Sequence, residues 1–324
     1  MKSRFVLPAL AALLGTATLL TTATPSVPIV VWHGMGDSAY TNRSMLTLKQ
    51  DLQRLIPRAF VHLIALGTDE SSDQSASFFG RVTDQVDQVC ETLRTIPELQ
   101  HGFNALGFSQ GGLFLRAYLQ RCSGAPIHNL VTLGSPHGGI AAPPQCHNDG
   151  WWCTKIFGQL KGRAYAWYFR DHVVQAQYFK DPARLAEYRT ANVFLPDINL
   201  ELPAHNPAYK PRLVALNKWV MVQYMNDTMI VPKESAWFAT IEAERTVPLR
   251  SSEHYKQDHL GLRTLHEADK LVFLEFPGEH LAHNDELFQK EILPHLAQPV
   301  KPAGNGDDWF TLAMGMLTTY LWSF

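Results

Sequence analysis

The sequence predicts an α/β protein with a mostly parallel central sheet, helices on both faces and an inserted helical cap. Three observations predict it. Short apolar runs of β-formers alternate with helically spaced segments as far as Leu133, the rhythm of a doubly covered parallel sheet. At Gly107-Phe108-Ser109-Gln110-Gly111 an apolar run turns straight into a helical pattern. An aspartate and a histidine then follow two late apolar runs, at Asp227 and His280.

The chain has 324 residues and a formal net charge of −2. That length buries a full core without staples, and a near-neutral charge gives no reason to expect a nucleic-acid partner. Residues 1–23 read as a secretory signal: Lys2 and Arg4, an apolar run Phe5–Leu20, and a small-residue cleavage site after Ala23. A retained signal anchor is the runner-up, disfavoured because the run is short. Residues 24–298 then form the main domain, with the cap inserted at about 140–212 and an apolar tail at 299–324.

Val27–Trp32 is the first buried strand and runs into His33-Gly34-Met35-Gly36-Asp37-Ser38. Helical spacing over Ser44–Leu55 stops at Pro57, and Phe60–Leu66 is the next strand. A helix is expected over Ser77–Arg94, a strand leading from Gln100 to Leu106, and a helix over Gly111–Arg121. Asn129–Leu133 is another strand. From Ile140 to Leu213 the rhythm breaks into an aromatic-rich segment with two short helices, around Lys161–Phe169 and Val173–Phe179. Lys218–Tyr224 and Leu271–Phe276 are the last strands.

A G-x-S-x-G pattern between strand and helix marks a nucleophile elbow, which places Ser109 on a strained turn at the edge of an α/β-hydrolase sheet. Its flanking glycines allow strand and helix to approach closely. A serine hydroxyl needs a general base, and imidazole titrates near working pH. The order Ser109, Asp227, His280 matches the α/β-hydrolase arrangement. His283 is a rival base, and Asp197 a weaker rival acid. The oxyanion donors are the N–H groups of Met35, after the first strand, and Gln110, at a helix start. His33 reads as a packed structural histidine. This chemistry calls for no metal and no cofactor.

Four cysteines allow three pairings. Cys146 and Cys153 flank the turn-forming Asn148-Asp149-Gly150, which pairs them and leaves Cys90 with Cys122; buried reduced thiols are the alternative. Asn42 and Asn226 head two N-x-S/T sequons and are glycosylation candidates.

In Val31–Ser38, Gly107–Gly112, Asp197-Ile198-Asn199, Asn226-Asp227-Thr228 and Gly278-Glu279-His280-Leu281 the chain resembles the lysosomal type of palmitoyl-protein thioesterase. The resemblance extends from about Val27 to Leu296. It implies an α/β-hydrolase that removes long fatty acyl groups from cysteine thioesters of S-palmitoylated proteins or peptides. It also implies Ser109, Asp227 and His280 as nucleophile, acid and base, Met35 and Gln110 as oxyanion donors, and the same two disulfides. The chain is then expected in the secretory pathway, and finally in a lysosome or vacuole or outside the cell. A secreted lipase or carboxylesterase acting on oxygen esters, and a non-catalytic lipid-binding homologue, are the competing readings. The tail Trp309–Phe324 has no counterpart in this pattern and reads first as an interfacial segment making peripheral membrane contact, second as a lipid-anchor signal.

Overall fold

Strands buried on both faces need apolar side chains on both sides, and Val27–Trp32 supplies them. Val30 and Trp32 pack into one core layer, Ile29 and Val31 into the other. The computed structural model describes residues 27–142, 158–242 and 245–300. Its strands are β1 (Val27–Trp32), β2 (Ala59–Leu63), β3 (Phe103–Phe108), β4 (Ile127–Leu133) and β5 (Lys218–Tyr224). They are followed by the short pair β6 (Thr240–Glu242) and β7 (Arg245–Val247), then β8 (Leu271–Phe276). Six of them form one sheet in the order β2-β1-β3-β4-β5-β8, parallel at every pairing. β6 and β7 make a separate antiparallel ribbon. This is the α/β-hydrolase fold that the sequence predicts.

The sheet order positions the site. From β1 the chain goes to β2 on one side, then returns to β3 on the other. The crevice beyond the carboxyl ends of β1 and β3 is therefore the topological switch point, where open α/β sheets bind ligands. Trp32 at the end of β1 lies opposite Gly107 in β3.

Helices α1 (Thr47–Leu55), α2 (Glu70–Ala76), α3 (Val82–Arg94) and α4 (Gln110–Arg121) follow in the first half. α4 is buried from Gln110 to Gln120, so it is the helix around which one core layer packs. A disulfide joins Cys90 on α3 to Cys122 just past α4, with Cα atoms 5.5 Å apart. The expected helix over Ser77–Arg94 begins only at Val82. Gly80 breaks it with φ 124°, donating its N–H to the His172 carbonyl at 2.9 Å. The polar run before it forms α2, which apolar spacing does not reveal. α2 is held by a reciprocal cap in which Asp69 accepts from Ser72 N–H and the Ser72 hydroxyl accepts from Asp69 N–H.

Between β4 and β5 the chain inserts α5 (Gly158–Arg163), α6 (Trp167–His172), a 3₁₀ segment Val174–Tyr178, and helices Leu185–Ala191, Leu195–Ile198 and Tyr209–Val214. The helix expected over Lys161–Phe169 is split, because Gly162 takes φ 90° and Ala166 is extended. Tyr165, Tyr178 and Phe179 are buried in the shared core, whereas Trp167 and Tyr168 are exposed. Among the described residues no helix is long and apolar enough to cross a membrane. The signal segment 1–23, the Cys146–Cys153 pair and the tail from 301 onward lie outside the described residues.

Candidate active site

Ser109 follows β3 and caps α4 with φ 51° and ψ −123°, a conformation costly to a residue with a Cβ. Neighbouring backbone makes the flanking glycines necessary. A Cβ on Gly107 would collide with Gly112, and one on Gly111 with the carbonyls of Trp32 and His33. The strain sets the serine hydroxyl at the switch point. There it faces a small, mostly apolar cavity of about 150 Å³.

The structure brings three distant segments together at this point. His280 Nε2 lies 2.9 Å from Ser109 Oγ, and His280 Nδ1 lies 2.6 Å from Asp227 Oδ2. A carboxylate only accepts, so Nδ1 carries the proton and Nε2 is left to accept from the serine hydroxyl. Both loops leave adjacent strands: Tyr224 in β5 is opposite Phe276 in β8, and Asn226 N–H donates to the Gly278 carbonyl at 2.9 Å. Asp227 Oδ1 accepts from Met229 and Ile230 N–H, both at 2.9 Å. This aspartate thus holds its own turn with one oxygen and the imidazole with the other. The imidazole crosses over Gly134 at the end of β4, where φ is +57° and a Cβ would stand 3.0 Å from His280 Cε1.

The rivals fall elsewhere. His283 is on the surface, pairing with Asp285 at 2.9 Å. Asp197 accepts from Arg121 and from the Tyr209 hydroxyl. Arg121 is twelve residues beyond Ser109 along α4, about 18 Å away at the helical rise. Asn42 and Asn226 are both exposed.

Met35 lines the cavity with Ser109, and Gln110 opens α4. Gln110 is the first residue of its helix, so its N–H has no helical carbonyl behind it and faces outward with the positive end of the dipole. Met35, Met45 and Met229 together make part of the cavity wall, and flexible thioethers adapt to an apolar guest.

Two supports were not legible in the sequence. The first is Asp73, wholly buried on α2. Its Oδ2 accepts from Ser38 Oγ (2.9 Å) and Ala39 N–H (2.8 Å) and lies 3.3 Å from His33 Nε2; its Oδ1 accepts from Leu66 N–H (2.7 Å). Burial alone pushes a carboxyl up, but the His33 contact and the backbone donors outweigh it and hold Asp73 down at about 2. His33 is shifted upward: burial opposes its charge, and the Asp73 carboxylate and Gly34 carbonyl more than offset that. His33 therefore braces the loop carrying Met35, as its structural reading expects.

The second support is the Gln110 side chain. Its Oε1 accepts from the Tyr178 hydroxyl and from Gln175 Nε2, each at 3.1 Å, and its Nε2 donates to the Ser77 carbonyl at 2.9 Å. Ser77 Oγ in turn accepts from Gly36 N–H at 2.8 Å. The helical insertion, α4 and the Met35 loop are thereby tied into one network. No motif marks Gln175 or Tyr178. Among the described residues no group of three or more His, Cys, Asp or Glu is placed to hold a metal.

Residues 28–280 match the family model described as palmitoyl protein thioesterase. A Caenorhabditis elegans protein named palmitoyl-protein thioesterase 1 is 38% identical over 262 residues, covering 80% of this chain and 88% of that one. A Dictyostelium discoideum palmitoyl-protein thioesterase 3 is 32% identical over 91% of this chain and 98% of its own. A Drosophila melanogaster protein named lysosomal thioesterase PPT2 homolog is 30% identical over 90% of this chain and 99% of its own. Fold, site geometry and these similarities agree: the chain belongs to the palmitoyl protein thioesterase family of α/β hydrolases.

Proposed function

We propose that the protein hydrolyses long-chain acyl thioesters, releasing fatty acid from S-palmitoylated cysteines of proteins or peptides. Ser109 Oγ attacks the thioester carbonyl as His280 Nε2 takes its proton, and Asp227 stabilises the imidazolium. The oxyanion rests on the N–H groups of Met35 and Gln110, in a site where fixed donors need no reorganisation. Collapse expels the cysteine sulfur, which His280 protonates. Water then attacks the acyl-Ser109 ester by the same route in reverse. The observation that carries this reading is the unbroken relay from Asp227 through His280 to Ser109, at 2.6 and 2.9 Å. The methionine-lined cavity beside it supports an acyl chain as the guest.

The same reading takes residues 1–23 as a cleaved signal, 24–298 as the hydrolase domain with a cap at 140–212, and 299–324 as a tail. The Cys90–Cys122 disulfide and the exposed sequons at Asn42 and Asn226 suit the secretory pathway. A lysosomal or vacuolar destination is supported by the names of relatives such as the Drosophila protein. Ser109→Ala is expected to abolish hydrolysis of a palmitoylated cysteine peptide, and a fluorophosphonate probe to label the native chain at Ser109 alone. Undiminished turnover by the variant would refute the mechanism. Faster cleavage of triglyceride than of palmitoyl peptide would transfer the protein to the oxygen-ester class. A preference for palmitoyl-coenzyme A over the peptide would narrow the substrate to small acyl thioesters.

A further inference from the structure

Five large apolar side chains stand exposed among the described residues, and three of them lie together: Phe79 (50% exposed), Trp167 (69%) and Tyr168 (52%). The Trp167 and Tyr168 rings are 5.8 Å apart, and His172 stacks on Tyr168 at 4.7 Å. Phe79 joins them through backbone pairing with Val173 and the Gly80 N–H bond to the His172 carbonyl. Phe78 beside it lies against Gly36, where a Cβ would stand 3.4 Å from the ring. The segment then runs through Val174–Tyr178 to the wall of the Ser109 cavity. The patch is therefore joined to the site by this short segment.

Its charge leans basic. Residues 162–172 carry Arg163 and Arg170 against the single acid Asp171. Asp171 is shared by Arg170 (3.2 Å) and Arg81 (3.8 Å); Asp84, near the start of α3, is the other acid close by. The three exposed rings present roughly 300–400 Å² of largely apolar surface. That is less than half of what one partner buries in a stable protein–protein interface, about 800 Å². It suits an interfacial anchor, where tryptophan and tyrosine sit at headgroup depth and arginine meets lipid phosphate.

We infer that Phe79, Trp167 and Tyr168, with Arg81 and Arg170 at their rim and Arg163 on the helix before them, seat this face on an anionic lipid bilayer. The surface stands independently of the reaction, and only its benefit to catalysis rests on the thioesterase reading. A palmitoylated cysteine is held at a membrane by its own acyl chain, so an anchored enzyme meets its substrate where it resides.

The test is co-sedimentation of the full chain with phosphatidylcholine vesicles, with and without phosphatidylserine. Native protein is expected to bind the phosphatidylserine vesicles more tightly. The F79A/W167A/Y168A variant should lose about tenfold or more of that binding, while Trp167→Phe retains it. R163Q/R170Q should lose the preference for the anionic vesicles. Hydrolysis of a water-soluble short-chain thioester should be unchanged in the triple variant, and hydrolysis of a vesicle-anchored palmitoyl peptide reduced. Equal vesicle binding by native and triple-variant protein would overturn the inference and assign attachment to another part of the chain. A native protein that ignores both vesicle types would also overturn it, leaving the patch to a protein partner. Because binding is scored without turnover, a failure here is distinct from a failure of the proposed reaction.

Discussion

Replacing Asp73 by asparagine tests whether a buried carboxylate braces the loop that carries Met35, the proposed oxyanion donor. The native carboxylate receives Ser38 Oγ, Ala39 N–H and His33 on one oxygen, and Leu66 and Gly67 N–H on the other. Asparagine keeps the shape but turns one acceptor into a donor, so at least two buried donors lose their partner. Stranded donors cost about 1–3 kcal/mol each. Losing the charge removes roughly another 2 kcal/mol, the worth of holding the carboxyl at about 2 instead of its usual 3.8. The two costs overlap, because the same donors help hold the carboxyl down, so the net loss is about 4 kcal/mol, in the range found for breaking buried ion pairs. It corresponds to a Tm drop of about 10 °C.

The pH dependence gives the experiment its second axis. His33 is raised, so its contribution is complete below about 6.5 and is lost as pH rises through the higher folded value. Asp73 is depressed, so its contribution is complete above about 4 and is lost as pH falls toward 2. The gap in Tm between native and variant should be widest between about pH 4 and 6.5 and narrow above that window. Calorimetry across the range reads it, and kcat for a soluble thioester should fall about tenfold with little change in KM. A variant within a few degrees of native at about pH 5, or an equal gap at acid and alkaline pH, would refute the reasoning.

Asp227→Asn keeps the oxygen that accepts from Met229 and Ile230, so it should fold normally and lose about 10⁴ in kcat through the wrong imidazole tautomer. Gln110→Ala keeps the backbone donor but strands the Tyr178 hydroxyl. About tenfold in kcat and 1–3 kcal/mol of stability should go, measured by turnover and urea unfolding. C90S/C122S opens a loop with a sequence separation of 32, and should cost about 3–4 kcal/mol in urea unfolding under non-reducing conditions.

What could be read beforehand follows from how the information is stored. The sheet was legible because each central strand is a predominantly apolar run, and those runs are long-range facts written in local composition. Val27–Trp32, Lys218–Tyr224 and Leu271–Phe276 coincide with β1, β5 and β8 for this reason. α2 was not legible, since Glu70–Ala76 contains nothing apolar but its last alanine and is stabilised by its cap. The insertion reads as helical in its sequence but hides the break at Ala166, because its helices are seven residues or shorter and are held by packing from outside. Ser109, Asp227 and His280 could be named together because each follows a strand, and parallel strands deliver their carboxyl ends to one rim.

The supports of that rim follow a different logic. Asp73 and Gln110 act on partners 35 and 68 residues away, Ser38 and Tyr178, and nothing in either local stretch reports the pairing. The consequence is that the two proposed oxyanion donors are fixed from opposite directions. Met35 depends on Asp73 beneath its loop, and Gln110 is tied by its side chain to Gln175 and Tyr178 of the insertion. Ser77 closes the circuit, bonding Gly36 through its hydroxyl and Gln110 through its carbonyl. Movement of the insertion when an acyl chain enters would therefore reach the donors before it reached the relay. The relay's own anchors, Met229, Ile230 and the Asn226–Gly278 bond, lie in the late loops. On this wiring Tyr178→Phe should lower kcat for long-chain more than for short-chain thioesters, because only the longer guest presses on the insertion. Equal losses on both would mean that the Tyr178–Gln110 bond holds the fold and does not sense the substrate.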